Sequence, residues 1–310
     1  MDLELLQSSK DQILNCNIQD ENGLNDFQKL PDENATRIDQ VGIERFRLPI
    51  TLSSNDRITH HDAEASMFVS LKEGKTGVNM SRFCKILQTE AEQNKIDSQF
   101  FDNVINSFRH DLRDYDHEDP IEDAFLSLSF NYPLKQKSLK SDNWGWQYYK
   151  CKLSGKVVNG SATIMNLEIH YEYSSTCPCS LSMSKQYERD FEQGKTNEGS
   201  GIAAAHGQRS EATCELEYST AKPLSIEEAI NLIRLALPTE TQSLVKRVDE
   251  QAFAILNGDH PMFVEHASRR LATVFDSEER ILDWKAKVEH FESLHSHNAV
   301  AIIKKKHSQN

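Results

Sequence analysis

The stretch that decides the fold is Asn166-Leu-Glu-Ile-His-Tyr-Glu-Tyr-Ser-Ser-Thr-Cys-Pro-Cys-Ser180, followed after a polar interval by Ala203-Ala-Ala-His-Gly-Gln-Arg-Ser210. Leu167, Ile169, Tyr171 and Tyr173 alternate with Glu168, His170 and Glu172, the period-two pattern of a half-buried strand. That strand runs into Thr176-Cys177-Pro178-Cys179-Ser180, and side chains two residues apart near a strand end point to the same side. His206 opens a second strand-like run ending at Tyr218. Thiolate sulfur and imidazole nitrogen are the donors of tetrahedral zinc or ferrous sites. The rest of the chain is expected to hold a substrate against such a metal.

Similar grammar extends outward in both directions. Upstream, Phe46–Ile50 and Ala63–Leu71 read as strands, with Pro49 confining the first to an edge or a bulge. Asn79 or Ser81 is placed to cap a helix carrying Phe83, Ile86 and Leu87, and a second helix begins near Ser98 with Phe100, Phe101, Val104, Ile105 and Phe108 at helical spacing. Ala124–Phe130 and Trp146–Leu153 read as two more strands. Downstream come strands over 162–175 and about 210–218, and a capping box, Ser225-Ile-Glu-Glu228, for a helix stopped by Pro238. A short helix capped by Asp249, a helix from Met262 to Phe275 opened by Pro261, and strands over 279–291 and 297–303 complete the chain. The expectation is an α+β fold of two units with matching element order, 41–158 and 159–310, preceded by a polar arm over 1–40. Residues 185–201 read as a surface excursion of a helical turn or two, a candidate flap.

Composition bounds the function. A length of 310 residues, 38% hydrophobic and 27% charged, describes a globular protein with a sizeable core, and a net charge of −13 disfavours nucleic acid and anionic membranes as partners. No run approaches the roughly 18 apolar residues of a membrane span. The acidic opening Met1-Asp-Leu-Glu-Leu-Leu-Gln7 lacks the basic and apolar regions of a secretory signal. Cys16, Cys84, Cys151, Cys177, Cys179 and Cys214 form no disulfide framework, so the cytoplasm is the expected compartment.

Cys177 and Cys179 read either as buried small hydrophobes or as metal ligands or nucleophiles, and the polar surroundings favour chemistry. His206 gains a functional reading only together with them. Arg209 is placed to fork onto a phosphate or to pair with Glu211. Glu250 follows Lys246-Arg247-Val248-Asp249, a run that resembles a solvated helix face. Glu265 ends the apolar run Pro261-Met-Phe-Val, where an acid needs a partner; a carboxylate there accepts two parallel hydrogen bonds from an edge such as guanine's. His295 and His297 fall on one side of an extended segment, as surface residues, metal ligands or a general acid–base.

Taken together, Cys177-Pro-Cys-Ser180, His206-Gly-Gln-Arg-Ser210, Lys246-Arg-Val-Asp-Glu250, Pro261-Met-Phe-Val-Glu265 and Glu292-Ser-Leu-His-Ser-His297 resemble the type IB GTP cyclohydrolases, as do Asp39-Gln-Val-Gly42 and Gly77-Val-Asn-Met-Ser-Arg-Phe83. The resemblance covers about residues 30 to 303. It implies tandem tunnelling-fold (T-fold) units, antiparallel sheets with helices packed on one face, assembled into a homotetramer with intersubunit active sites. It also implies conversion of GTP and water to 7,8-dihydroneopterin triphosphate and formate, the entry to tetrahydrofolate, with zinc, manganese or iron as cofactor. Carried over by position, Cys177, His206 and Glu250 become metal ligands, Glu265 the guanine anchor and His295 a proton carrier. Cys179 and His297 stand beside these as further candidates. Arg209, Lys246 and Arg247, with Arg82 and Arg269 in reserve, are the cations offered to the triphosphate. The segment between the Cys-Pro-Cys corner and His206 is longer than in compact members. Two rivals remain at this point: a nitrile reductase of the same fold acting on a cyano-deazaguanine with NADPH, and a non-catalytic purine- or pterin-binding protein.

Overall fold

A computed structural model describes residues 10, 13–19, 22–26, 36–54, 57–112 and 119–306. Most of the arm expected over 1–40 lies outside them. The chain divides into two compact units, one of Met1–Leu128 with Ser154–Ile164 and one of Ser129–Leu153 with Met165–Asn310. Among the described residues eight strands pair in chain order, β1 to β8, in one antiparallel sheet.

In the first unit, β1 (Ile38–Ser54) and β2 (Arg57–Leu71) form a long hairpin. Both strands extend well beyond the apolar runs that signalled them, because backbone pairing continues where side chains are polar. β1 is an edge strand, and Pro49, opposite Asp62, sits where its missing N–H costs no ladder bond. Register shifts at Ile38/Val41 and Ile43/Phe46 mark bulges, and Arg45 takes the left-handed conformation at the second. Gly42 lies between them, opposite Phe68. A Cβ there would come within 1.9 Å of the Met67 carbonyl oxygen, so the close backbone approach requires glycine. Ala63, Ala65, Met67 and Val69 of β2 all face the core.

Helices α1 (Met80–Gln93) and α2 (Ser98–Asp111) bury Phe83 and Leu87, and Phe100, Phe101, Val104, Ile105 and Phe108. Phe83 meets Phe108 edge-on at 5.1 Å, and each fully buried side chain of this kind contributes about 1.5–3 kcal/mol. The caps differ from expectation in one respect. Asn79 occupies the α1 N-cap without a side-chain bond, whereas Asp97, just before Ser98, accepts the Phe100 N–H at 2.8 Å. Buried Asp123 accepts Arg37 at 2.6 Å and the Asn159 N–H at 2.8 Å, tying the start of β1 to the turn after β4.

The second unit carries most of β3 (Ala124–Lys137) and β4 (Trp144–Val157), then β5 (Ile164–Thr176), α3 (Pro178–Glu192), β6 (Gly207–Ser219), α4 (Ile226–Ala236), α5 (Arg247–Asp259), α6 (Val264–Ser277), β7 (Asp283–His290) and β8 (Ala299–Lys304). The alternation along β5 holds: Leu167, Ile169, Tyr171 and Tyr173 are fully buried, and Glu168, His170 and Glu172 lie on the other face. α4 and α6 cover the apolar face, with Phe275 against Trp284 at 5.7 Å. The Ser225/Glu228 capping box forms as read. The closing strands are shorter than expected, because 278–282 form a turn and 291–298 a connection.

Replacing Gly42 with Ala forces the β1–β2 backbones apart at a bulge. The expected result is a loss of at least about 2 kcal/mol in urea-induced unfolding. A shift below about 0.5 kcal/mol, the scale of an ordinary surface change, would show that the hairpin absorbs the side chain.

A candidate metal corner in the second unit

The Cys-Pro-Cys motif lies where β5 stops and α3 starts. Cys177 is extended (φ −66°, ψ 120°) and serves as N-cap, and Pro178 takes the first helical position, where a missing N–H is costless. The expected short excursion is therefore a helix running to Glu192. Its polarity concealed it, since Ser184 is its only buried residue among those described. The Cys177 N–H donates to the His206 carbonyl at 3.2 Å, and the His206 N–H donates to Ser180 Oγ at 3.1 Å. Cys177 and His206 thus adjoin despite the whole of α3 between them. The Met262 N–H donates to the Thr176 carbonyl at 3.0 Å, which fastens the entry to α6, and with it Glu265, to the same corner.

The imidazole of His206 is oriented by a relay. Gln208 Nε2 donates to Ser175 Oγ at 2.9 Å, which turns Oε1 toward His206 Nδ1 at 3.2 Å. Oε1 only accepts, so Nδ1 carries the proton and Nε2 keeps a free lone pair for a metal. Ser175 continues to Ser210 at 2.9 Å. Gln208, Ser175 and Ser210 are all buried. Cys177 is half-buried and Cys179 exposed, and all six thiols are free.

Glu250 stands exposed in the first turn of α5. Lys246 occupies the N-cap position, and Asp249 is its third-position partner, not the cap itself. Asp249 is fully buried. One oxygen accepts the N–H groups of Lys140 and Ser141, each at 2.8 Å, and the other accepts Ser141 Oγ at 2.6 Å and the Lys246 N–H at 2.8 Å. Burial works against its charge, but these bonds, led by the Ser141 hydroxyl, outweigh it and hold the carboxyl well below the usual range. Among the described residues no three His, Cys, Asp or Glu side chains stand close enough to hold one metal. One chain therefore brings Cys177 to His206 without bringing Glu250 to both.

The remaining candidates divide. Glu265 is exposed in the first turn of α6, beside buried Val264, so the acid did not need a buried partner. His295 and His297 lie exposed in the β7–β8 connection with rings stacked at 5.0 Å. Arg209 pairs with Glu172 at 3.8 Å, not with Glu211, which instead binds His170 at 3.0 Å. Glu168 and Glu211 flank His170 and raise its pKa: the Glu168 hydrogen bond leads, burial opposes, and Glu211 adds. Lys246 and Arg247 are exposed beside Glu250, Arg269 is exposed on α6, and Arg82 donates to the Asp111 carbonyl at 3.2 Å.

Sequence reasoning missed His290, the last residue of β7. It is 2% exposed and bonded through Nε2 to Tyr173 Oη at 2.8 Å. Burial pushes its pKa down to about 4, opposed by the nearby Glu265 carboxylate. Its signal was an imidazole on the apolar phase of a strand, Trp284, Ala286, Val288, His290.

The architecture defines the class. The uricase of Arthrobacter globiformis is similar to this chain with a TM-score of 0.55 at 9% identity, over 88% of this chain and 94% of that one, which places the fold among the T-fold proteins. The family follows from sequence. The model for type I GTP cyclohydrolase folE2 matches residues 24–301. GTP cyclohydrolase FolE2 of Cereibacter sphaeroides is 38% identical over 267 residues, 86% of this chain and 70% of that protein. GTP cyclohydrolase FolE2 of Hydrogenovibrio crunogenus is 34% identical over 285 residues, 87% and 90% of the two chains. The chain belongs to the folE2 family of type I GTP cyclohydrolases, and GTP is its substrate.

His290 gives the site a pH signature. The unfolded imidazole binds a proton near pH 6.5 and the folded one only near 4, so the unfolded state holds more protons between these values and stability falls as pH drops through that window. The contribution is about 3 kcal/mol. His290→Gln is expected to flatten the fall between pH 6.5 and 4 in chemical unfolding. An unchanged slope would show that the imidazole is not kept neutral by the fold.

Proposed function

We propose that Cys177 and His206 of one chain and Glu250 of another hold a divalent cation (zinc, or manganese or iron) at which GTP is opened to 7,8-dihydroneopterin triphosphate and formate. The carrying observation is the Cys177–His206 junction, where the Cys177 N–H meets the His206 carbonyl at 3.2 Å and the Gln208 relay leaves the His206 Nε2 lone pair free. The donor set fits the group: sulfur, imidazole nitrogen and carboxylate oxygen are ligands that these metals accept. When bound, the cation supplies a Lewis acid that makes water nucleophilic near neutral pH. The chain's own residues do the rest. Glu265 accepts the paired N–H donors of the guanine edge and fixes C8 toward the corner. His295 moves a proton to the departing nitrogen, with His297 stacked against it. Arg209, Lys246 and Arg247 offer exposed cations to the triphosphate. Cys179, exposed one helical position past Pro178, is a reserve thiol at the same corner.

Assembly into a homotetramer, from T-fold units of 41–158 and 159–310, accounts for the surface around Glu250. Trp144, Trp146 and Tyr148 stand exposed on β4, and Leu244, Val245 and Val248 stand exposed beside the glutamate. These two groups are contiguous, since a Cβ on Gly145 would come within 2.2 Å of Ser243 Oγ and 3.0 Å of Leu244 Cβ. An apolar patch of this kind on an acidic chain suits a self-complementary contact. No helix among the described residues is long and apolar enough to cross a membrane, and a reducing cytoplasm suits six free thiols.

The test is complementation. Protein loaded with each metal in turn is given GTP, and formate and the oxidised fluorescent pterin are measured. Cys177→Ala and Glu250→Ala are each expected to be inactive. Co-expressed, they are expected to recover activity at roughly a quarter of the sites by random pairing. No recovery, with both variants folded and assembled, would mean that all three ligands come from one chain. Glu265→Ala is expected to raise KM for GTP by about tenfold or more with metal content unchanged. Equal loss of metal would remove it as the guanine anchor.

A further inference from the structure

The sheet face of the second unit that points away from α4 and α6 carries a charged cluster that the proposed chemistry does not use. His170 sits there on β5, and both of its ring nitrogens meet carboxylates. Nε2 is 3.1 Å from Glu168 Oε1 on the same strand, and Nδ1 is 3.0 Å from Glu211 Oε1 across on β6. An ionised carboxylate only accepts, so both contacts are hydrogen bonds only when both nitrogens carry protons, that is, when the ring is an imidazolium. His170 is 20% exposed and its partners 30% and 31%, so solvent screens the contacts only in part. The Glu168 hydrogen bond first, and then Glu211, raise the ring above its ordinary pKa against the effect of burial. Thr213 Oγ1 stands between two acceptors, 3.4 Å from Glu211 Oε1 and 3.5 Å from His170 Nδ1. Beside a charged ring, Glu211 is the acceptor of the two; beside a bare Nδ1, the ring can accept as well. The register sets Glu211 opposite Glu289, and like charges directly opposite destabilise a strand pair. Lys287 meets Glu289 at 2.8 Å, and His170 is the cation at Glu211. Among the described residues, the other charges around the cluster are Glu172, paired with Arg209, Lys150 and Lys152 of β4, which act on Glu168, and Glu215, paired with Lys285 of β7.

We propose that His170 is a pH-sensitive clamp between β5 and β6: as an imidazolium it bridges Glu168 and Glu211, and on giving its Nδ1 proton to water it draws the Thr213 hydroxyl to itself and lets the cross-strand contact go. Nδ1 is the nitrogen that gives up its proton, because Thr213 is placed to donate to it afterwards. The released Glu211 then faces Glu289 without the charge of the ring. The same two strands end at Cys177 and His206, so the clamp ties together the pair that carries the metal corner. The folded ring holds its proton more tightly than the unfolded one. The contribution of the clamp is therefore complete below about pH 6.5 and is lost as pH rises through the folded value. His290 acts with the opposite sign, so the two histidines bound the range of greatest stability from either side.

The metal-loaded protein is unfolded chemically at several pH values from about 6.5 to 8, below the ordinary thiol range. The wild type is expected to lose stability as pH rises, and His170→Gln to lose the part of that fall that the imidazole supplies. An identical fall in both would overturn the clamp. In 15N-resolved imidazole spectra, the resonances that His170→Gln removes are expected to titrate above pH 6.5 in the wild type and to move down toward it in Glu211→Gln. Above that midpoint the neutral ring is expected as the Nε2–H tautomer, still bonded to Glu168. A wild-type midpoint at or below 6.5, an Nδ1–H tautomer, or a midpoint unmoved in Glu211→Gln would each overturn the proposal. Should His170→Gln fold poorly, Glu211→Gln keeps the imidazole and identifies it as the ring whose midpoint falls. If no midpoint falls, the cross-strand contact holds no proton and the clamp does not exist.

Discussion

One buried carboxylate sets the geometry of the second unit. Glu240, 3% exposed, receives Arg234 Nε at 2.8 Å, Gln136 Nε2 at 2.6 Å and the hydroxyl of Tyr149. Removing one partner from such a group leaves an uncompensated charge and costs about 3–5 kcal/mol. Burial, then Glu240, keep Tyr149 protonated far above the ordinary phenol range, so it remains a donor. The network joins β3, β4 and α4 to the segment after Pro238. That segment is itself stitched to β5: the Ser174 N–H donates to the Thr239 carbonyl at 2.8 Å and Thr239 Oγ1 donates to the Ser174 carbonyl at 2.5 Å. Ser174 lies three residues before Cys177, so the charge that orders the loop toward α5 also fixes the strand end that presents the thiol.

Asp249 repeats the device one step further along. Its four accepted bonds join the first turn of α5 to the β3–β4 turn, and they place Lys246, Arg247 and Glu250 on the outward side of that turn. A third polar group, the row Ser175, Ser210 and His290, lies on the buried face of β5, β6 and β7 at the strand ends, where Ala212, Cys214, Ala286 and Val288 otherwise make the core apolar. Buried polar groups are costly unless fully satisfied, and satisfied ones restrict a core to a single arrangement. The Glu240 network and the Ser175–Ser210–His290 row fix the strand ends beside Cys177 and His206, and Asp249 separately fixes the turn that carries Glu250.

Much of this was legible in the chain. The alternation in β5 gave its register and its buried tyrosines, Pro49 marked an edge strand, and the Ser225/Glu228 box marked the start of α4, because each signal is local. Cys177 and His206 could be picked out as candidates because a thiol and an imidazole are distinctive at a polar strand end, and the two do adjoin. What escaped depended on distant partners. Asp249 looked like one more charge in an exposed run, since its acceptors' donors are on Lys140 and Ser141. Glu240 has no distinguishing neighbour in sequence. α3 has a strongly polar composition and opens on a proline, and both features read as loop unless the proline is seen at the first helical position.

The long helical segment between Cys177 and His206 does not set their relation in space. α3 and the loop after it stand between Cys177 and His206, yet the excursion closes on itself: Tyr187 donates to the Glu198 carbonyl and accepts the Gly201 N–H at 3.1 Å. Gly201 lies so close to Phe191 that a Cβ would meet its ring at 2.6 Å. Loop closure costs only about 0.6 kcal/mol per doubling of length, and here the ends are already joined by the Cys177–His206 and His206–Ser180 bonds. The juxtaposition of Cys177 and His206 is thus set by the neighbouring ends of β5 and β6, not by the chain between them. A site built on paired strand ends keeps its geometry while the segment joining them lengthens, folds into a helix and changes composition.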